Sequence, residues 1–241
     1  MLFTHNDSGD SARIFALRAD GRLIGSIRVP DAVNVDWEDI ALGPGRDGRT
    51  ALYLGDIGDN ARRRAGIDVY RVPEPEVRQG APAATAPAER LALRYPGGPR
   101  DAEALLVDPR GGDLYVVTKR LDGRSEVFRA RAPLPFGGTA ALEPAGALRL
   151  GLTSAVTGGD VSAAGDAIVL RTYGSVFAWG RTPGESVARA LARPPCRAPA
   201  HVVAERQGEA IGLLPDGRGF VTLSEGVRSP IWRYTARAGP S

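Results

Sequence analysis

Cysteine is nearly missing from this chain. Cys196 stands alone, so no intramolecular disulfide and no cysteine-based metal site can form. Lysine is as scarce: Lys119 is the only one, and every other permanently cationic side chain is arginine. No apolar run approaches membrane-spanning length. Met1-Leu2-Phe3-Thr4 carries neither the charged nor the apolar stretch of a secretory leader. The arginines are scattered over turns and strand ends, with Arg62-Arg63-Arg64 the only basic run, so the footprint of a nucleic-acid binder is weak. Familiar motifs fail as well. Gly43 to Gly48 satisfies G-x-G-x-x-G, but strand-like Ala51 to Leu54 follows where a dinucleotide site needs a helix. Asn6 to Asp10 begins like a calcium loop, yet the twelfth position counted from Asp7 is Arg18 rather than a bidentate acid. No nucleophile elbow, Walker loop or zincin helix is present. His5 and His201 are far apart in sequence and read as polar residues at strand ends.

Helical periodicity is also almost absent, and what replaces it is a repeat of short strands. The chain has 241 residues, 43% of them hydrophobic, enough for one large all-β domain. Four stretches begin with a carboxylate, run through a short apolar strand and end in a turn. They start at Glu38, Glu103, Asp160 and Glu209. Each heads a unit of about four strands, the pattern of a β-propeller. The expected fold is therefore an all-β propeller of about five blades, each a four-stranded antiparallel sheet, in one domain over residues 1–241. The blades fall at about 1–35, 36–100, 101–157, 158–206 and 207–241. The first lacks its inner strand and the last its outer strand, which gives 18 strands in all. Both missing strands would lie just upstream of Met1, so a late start of the chain is expected. The Pro- and Ala-rich stretches 74–88, 131–144 and 182–199 read as long loops between third and fourth strands, with the outer strand of the fourth blade expected near Val187 to Leu191.

Equivalent residues in a propeller converge on one axis. Glu38, Glu103, Asp160 and Glu209 should therefore meet around a channel, with a second set just past the second strand of each blade. That set includes Asp7, Asp10, Asp56, Asp59, Lys119 and Arg171. Carboxylates brought so close must share protons, pair with Lys119 and Arg171, or hold a cation. Oxygen ligands favour calcium or magnesium over zinc, and calcium tolerates irregular geometry. Glu38, Glu103, Asp160 and Glu209 are thus candidate metal ligands, with Asp56 to position water and Lys119 and Arg171 to hold an anionic group. Such residues also line propeller channels simply to solvate them. Asp36 and Asp101 suit Asx turns, Gly9 and Gly58 suit turns, and Trp37 suits a wedge between blades or a cover over the channel.

The phrases Thr4 to Asp10, Asp36 to Ala41, Gly55 to Asn60 and Gln207 to Ile211 resemble those of an uncharacterised family of bacterial propellers, over nearly the whole chain. More distantly, the chain is similar to the phytase-like and gluconolactonase/regucalcin-like propellers, in which acidic channel residues bind calcium. It departs from that class in blade number. The resemblance implies a metal-dependent hydrolase of small phosphoesters, esters or lactones. The alternative is a non-catalytic propeller that grips a ligand or a protein. The expected partner is a small anionic or ester ligand, with no nucleic acid or membrane, and the expected state is a monomer. The expected compartment is extracellular if a leader lies upstream, and otherwise cytoplasmic.

Overall fold

A computed structural model describes residues 1–80, 83–152, 154–197, 202–203, 205 and 207–235; His201 lies outside them. The first sheet begins with β1 (Leu2–His5), β2 (Arg13–Leu17) and β3 (Leu23–Arg28). The second has β4 (Trp37–Pro44), β5 (Thr50–Asp56) and β6 (Ile67–Pro73). The chain then returns to the first sheet as β7 (Ala83–Ala84), parallel to β3, before β8 (Glu89–Arg94) completes the second. The third sheet has β9 (Ala102–Val107), β10 (Leu114–Thr118) and β11 (Glu126–Ala130). A parallel excursion, β12 (Thr139–Ala141), reaches back to β8, and β13 (Glu143–Ala147) closes the third sheet. The fourth has β14 (Val156–Val161), β15 (Ala167–Thr172), β16 (Val176–Gly180), the helix α1 (Val187–Leu191) and β17 (Cys196–Arg197). The fifth has β18 (Gly208–Leu213), β19 (Gly219–Ser224) and β20 (Ile231–Thr235). This is a five-bladed β-propeller.

Burial follows blade position. In β9 and β10 every residue is buried, because the third blade is covered on both faces. In β2 burial alternates, as one face meets the second blade and the other faces outward. Apolar clusters fill the gaps between neighbouring blades. Ile14, Ile27, Trp37, Leu52, Leu54 and Tyr70 join the first blade to the second, and Trp37 is the wedge, its indole N–H donating to the Val33 carbonyl at 2.9 Å. Tyr53, Ile57, Leu105, Val107 and Val116 join the second to the third.

Two features depart from the expected strands. The 74–88 and 131–144 stretches are not plain loops, since β7 and β12 lie in them and supply the two strands beyond the expected eighteen. Each extends the outer edge of the preceding blade. In the fourth blade the same excursion is α1, where residues 187–191 suit a strand by sequence. Ser186 caps the helix through its side chain, and Val187, Ala190 and Leu191 pack with Leu148 and Trp179. The outer strand falls instead at β17.

Polar contacts fasten the blades near the axis. The buried Asp39 carboxylate accepts the backbone N–H groups of Leu105 (2.8 Å) and Gly159 (3.2 Å), tying together the inner strands β4, β9 and β14. Further out, Arg181 donates to both oxygens of Asp108 at 2.6 and 2.7 Å, a buried bidentate pair between the third and fourth blades.

Candidate functional site at the channel mouth

Each inner strand of blades two to five carries a register shift near its start. Trp37 pairs with Asp56 and Asp39 with Gly55, so Glu38 is left out of the ladder. In the same way Glu103 is skipped between Ala102 and Ala104, Thr157 between Val156 and Gly158, and Glu209 between Gly208 and Ala210. A β-bulge re-aims the residue it extrudes, and here it brings the carboxylates of Glu38 and Glu209 within electrostatic reach of Glu103.

The aligned set is thus Glu38, Glu103, Thr157 and Glu209. Asp160, the acid singled out by sequence in the fourth blade, lies three residues further along β14. It pairs with Val169 at the register of Ala41, Leu106 and Gly212. Asp160 is half-buried on the cavity wall, and its Oδ2 accepts the Leu213 N–H at 2.7 Å, fastening the fourth blade to the fifth. Burial lifts its pKa to about 6, against the pull of that N–H and the Val161 N–H. Thr157 donates its hydroxyl to the Gly208 carbonyl at 2.9 Å.

The bulge acids lie close enough to repel one another. Burial pushes the Glu38 pKa up to about 10, with Glu103, Asp7 and Asp36 adding repulsion. Burial likewise lifts Glu209 to about 8, helped by Glu225 and Glu103. Lys119 ion-pairs with Glu103, both side chains largely buried, and its charge opposes the rise at Glu38 and Glu209. Burial raises the Glu103 pKa to about 7, and the lysine opposes that rise. The Lys119 ammonium also sits 5.4 Å from the centre of the Tyr173 ring.

A second grouping stands beside the first. One carboxylate oxygen each from Asp7, Asp36 and Glu38 lies within 4.8 Å of the others. Two oxygens bound to one calcium at 2.3–2.6 Å are separated by at most about 5 Å, so this donor set has the span and hardness for calcium. Gly58 makes the approach possible. Its backbone N–H donates to the Asp36 carbonyl at 3.1 Å, and a Cβ there would overlap the Glu38 and Asp36 carboxylates. The glycine therefore serves close packing rather than a left-handed turn. Burial lifts the Asp36 pKa to about 6, with Asp7 adding to the rise.

Asp56 and Arg171 are placed away from this group. Asp56 is fully buried. It pairs with Arg64 at 2.7 Å and accepts the N–H groups of Val35 and Asp36, both at 3.1 Å, so it braces the segment leading into β4. Arg171 is also fully buried, between the fourth and fifth blades. It ion-pairs with Glu205 at 2.9 Å and donates to the Ala210 carbonyl at 2.9 Å. A Cβ at Gly208 would overlap its guanidinium. Tyr173, two residues on, is the side chain from this strand end that reaches Lys119. The expected Asx turn at Asp101 is replaced by a longer-range bond: its carboxylate accepts the backbone N–H of Asp59 in the second blade at 3.0 Å, and Asp36 gives its carboxylate to the cluster.

The mouth opens into a cavity of about 280 Å³ between the first and fifth blades. Asp7, Glu38 and Glu209 stand on its wall with Leu2, Leu42 and Leu213.

No protein-family profile matches the chain, and no characterised protein matches it by sequence. Solved propellers match by fold. A candidate 6-phosphogluconolactonase from Bacteroides uniformis superposes with a TM-score of 0.50 at 15% identity over 98% of this chain. The periplasmic gluconolactonase of Pseudomonas aeruginosa gives 0.46 at 14% identity, also over 98%. The chain spans 64% of the first protein and 68% of the second.

Proposed function

We propose that the chain is a hydrolase of small lactones or esters whose channel mouth binds calcium through Asp7, Asp36 and Glu38. The observation that carries this reading is the meeting of three carboxylates within 4.8 Å, one of them pushed far up in pKa. Acids in that position hold protons unless a cation neutralises them, and a divalent cation does so with fewer bound groups. When bound there, such a cation supplies Lewis-acid polarisation of a carbonyl oxygen. The chain's own residues supply the rest. Lys119, fixed by Glu103 and Tyr173, presents a positive charge to an anionic substituent. Glu209, with a pKa lifted to about 8, is protonated near neutral pH and suited to giving a proton to a leaving alkoxide. Asp56 and Arg171 hold the loops and strands that position these groups.

Lactones stand first among substrates because the Bacteroides propeller with the same fold is assigned to a phosphorylated sugar lactone. The test is a panel of sugar lactones, 6-phosphogluconolactone and aryl esters, assayed with calcium and with chelator. Calcium-dependent turnover lost in Glu38→Gln supports the reading. Calcium binding without turnover of any panel member favours a binding module, and absence of both contradicts the reading.

A further inference from the structure

The three carboxylates that meet at the mouth come from two separate pieces of chain. Asp36 and Glu38 belong to the segment that leads into β4, and Asp7 to the turn that follows β1. The first piece is held from several sides. The Trp37 indole N–H donates to the Val33 carbonyl at 2.9 Å, and the N–H groups of Val35 and Asp36 donate to the buried Asp56 carboxylate, both at 3.1 Å. The second piece has no such frame. Asp7 is exposed, and its carboxylate accepts only the N–H of its neighbour Ser8. The other acid of the turn, Asp10, is bonded to Asn6, Ser11 and Arg13, all within the same hairpin.

Asn34 joins the two pieces. Its Nδ2 donates to the Asn6 carbonyl at 3.2 Å and to the Asp7 carbonyl at 3.0 Å, while its Oδ1 accepts the Trp37 backbone N–H at 3.1 Å. These partners fix which way the amide points. Turned over, its oxygen would face two carbonyl oxygens and its NH₂ group an N–H. Among the described residues, no other hydrogen bond joins residues 6–10 to the chain beyond β2. His5 supports the same junction by packing. Its ring stands edge-on to the Trp37 indole with centres 5.9 Å apart, and its Nδ1 donates to the Asn6 carbonyl at 3.0 Å.

We infer that Asn34 is a positioning residue for a bound calcium ion: it holds the Asp7 turn where the Asp7 carboxylate meets those of Asp36 and Glu38. The inference builds on the calcium reading above and adds to it a residue that offers no carboxylate. Three like charges gathered at one place repel, and Asp7, in an exposed turn, is the member free to swing away. Two hydrogen bonds from a side chain anchored on the β4 segment oppose that movement. A ligand ordered before binding does not have to be ordered during it, so the tie should appear in the affinity. A merely structural asparagine would change stability, but it would not make its effect on calcium depend on the presence of the Asp7 carboxylate.

The test is a double-mutant cycle read by calorimetric titration of calcium into the full chain, stripped with chelator beforehand. The proteins are the parent, Asn34→Ala, Asp7→Asn and the double variant. Each single variant should bind calcium at least fivefold more weakly. The double variant should match Asp7→Asn within twofold, because the amide acts through that carboxylate. Asn34→Ser separates the two arms of the side chain. A serine hydroxyl still serves the local turn to Trp37, but it carries no amide to reach residues 6 and 7. It should therefore lose as much affinity as Asn34→Ala, and it carries the test if the alanine variant fails to fold. Parent-like affinity in Asn34→Ser overturns the inference, and so does a further fivefold loss when Asn34→Ala is added to Asp7→Asn. In both cases calcium still binds the parent, so the calcium reading stands. A parent that binds no calcium overturns that reading and the role of Asn34 together.

Discussion

Glu103 and Lys119 form an ion pair at the channel mouth that employs the only lysine in the chain. Their side chains are 3% and 15% exposed, so neither charge is well hydrated without the other. Removing one partner of a buried pair leaves the other uncompensated. Lys119→Met should therefore lower unfolding stability by about 1–3 kcal/mol at pH 8, less than a fully buried pair costs because Glu103 can take up a proton. The double variant Lys119→Met with Glu103→Gln should recover most of the loss. Urea unfolding of the four proteins measures the coupling directly.

The mouth makes stability depend on pH in a defined direction. In the folded chain burial lifts Asp36 to about 6, Glu209 to about 8 and Glu38 to about 10. The same groups ionise near pH 4 when unfolded. Between those values the folded state holds protons that the unfolded state has released, so stability falls as pH rises. The contribution is fully present below about pH 4 and declines progressively through pH 6 to 10. In chelator, the urea midpoint should be lower at pH 8.5 than at pH 5.5, and Glu38→Gln should flatten that slope.

Gly58 separates close packing from turn geometry as the reason for a glycine. A methyl group there meets the Glu38 and Asp36 carboxylates, both at the ends of movable side chains. Gly58→Ala should fold, but with those carboxylates displaced. The expected outcome is loss of any calcium-induced rise in Tm while the chelated protein melts within a few degrees of the parent.

The Arg181–Asp108 pair offers a control remote from the mouth. Both side chains are buried and joined by two hydrogen bonds. Arg181→Met strands the Asp108 carboxylate, and a loss of about 3–5 kcal/mol is expected. The calcium response of this variant should persist at temperatures where it remains folded.

Much of this architecture is written in the strand pattern. The hairpins of all five blades follow from alternation and from turns such as Asp108-Pro109-Arg110-Gly111-Gly112, because those signals are local. The parallel strands β7 and β12 are two and three residues long and take their partners from the preceding blade, so nothing local marks them. The same limit governs the site. Glu38, Glu103 and Glu209 are found by their repeat, but Asp160 enters the series only if the bulges are ignored. A bulge changes which residue faces the mouth without changing residue types. Arg171 and Tyr173 differ by two positions, yet one is locked between blades while the other reaches Lys119. The register of a strand end decides between them. Asp7 and Asp36 join Glu38 across two blades, a meeting that neither local motif announces.

Isothermal titration of calcium into the chelator-stripped protein at pH 7.5, with Glu38→Gln and Asp36→Asn alongside, tests the site most directly. One calcium bound per chain, with protons released on binding and affinity at least tenfold weaker in each variant, is the predicted result. Undetectable heat at millimolar calcium, or equal affinity in parent and variants, would contradict it.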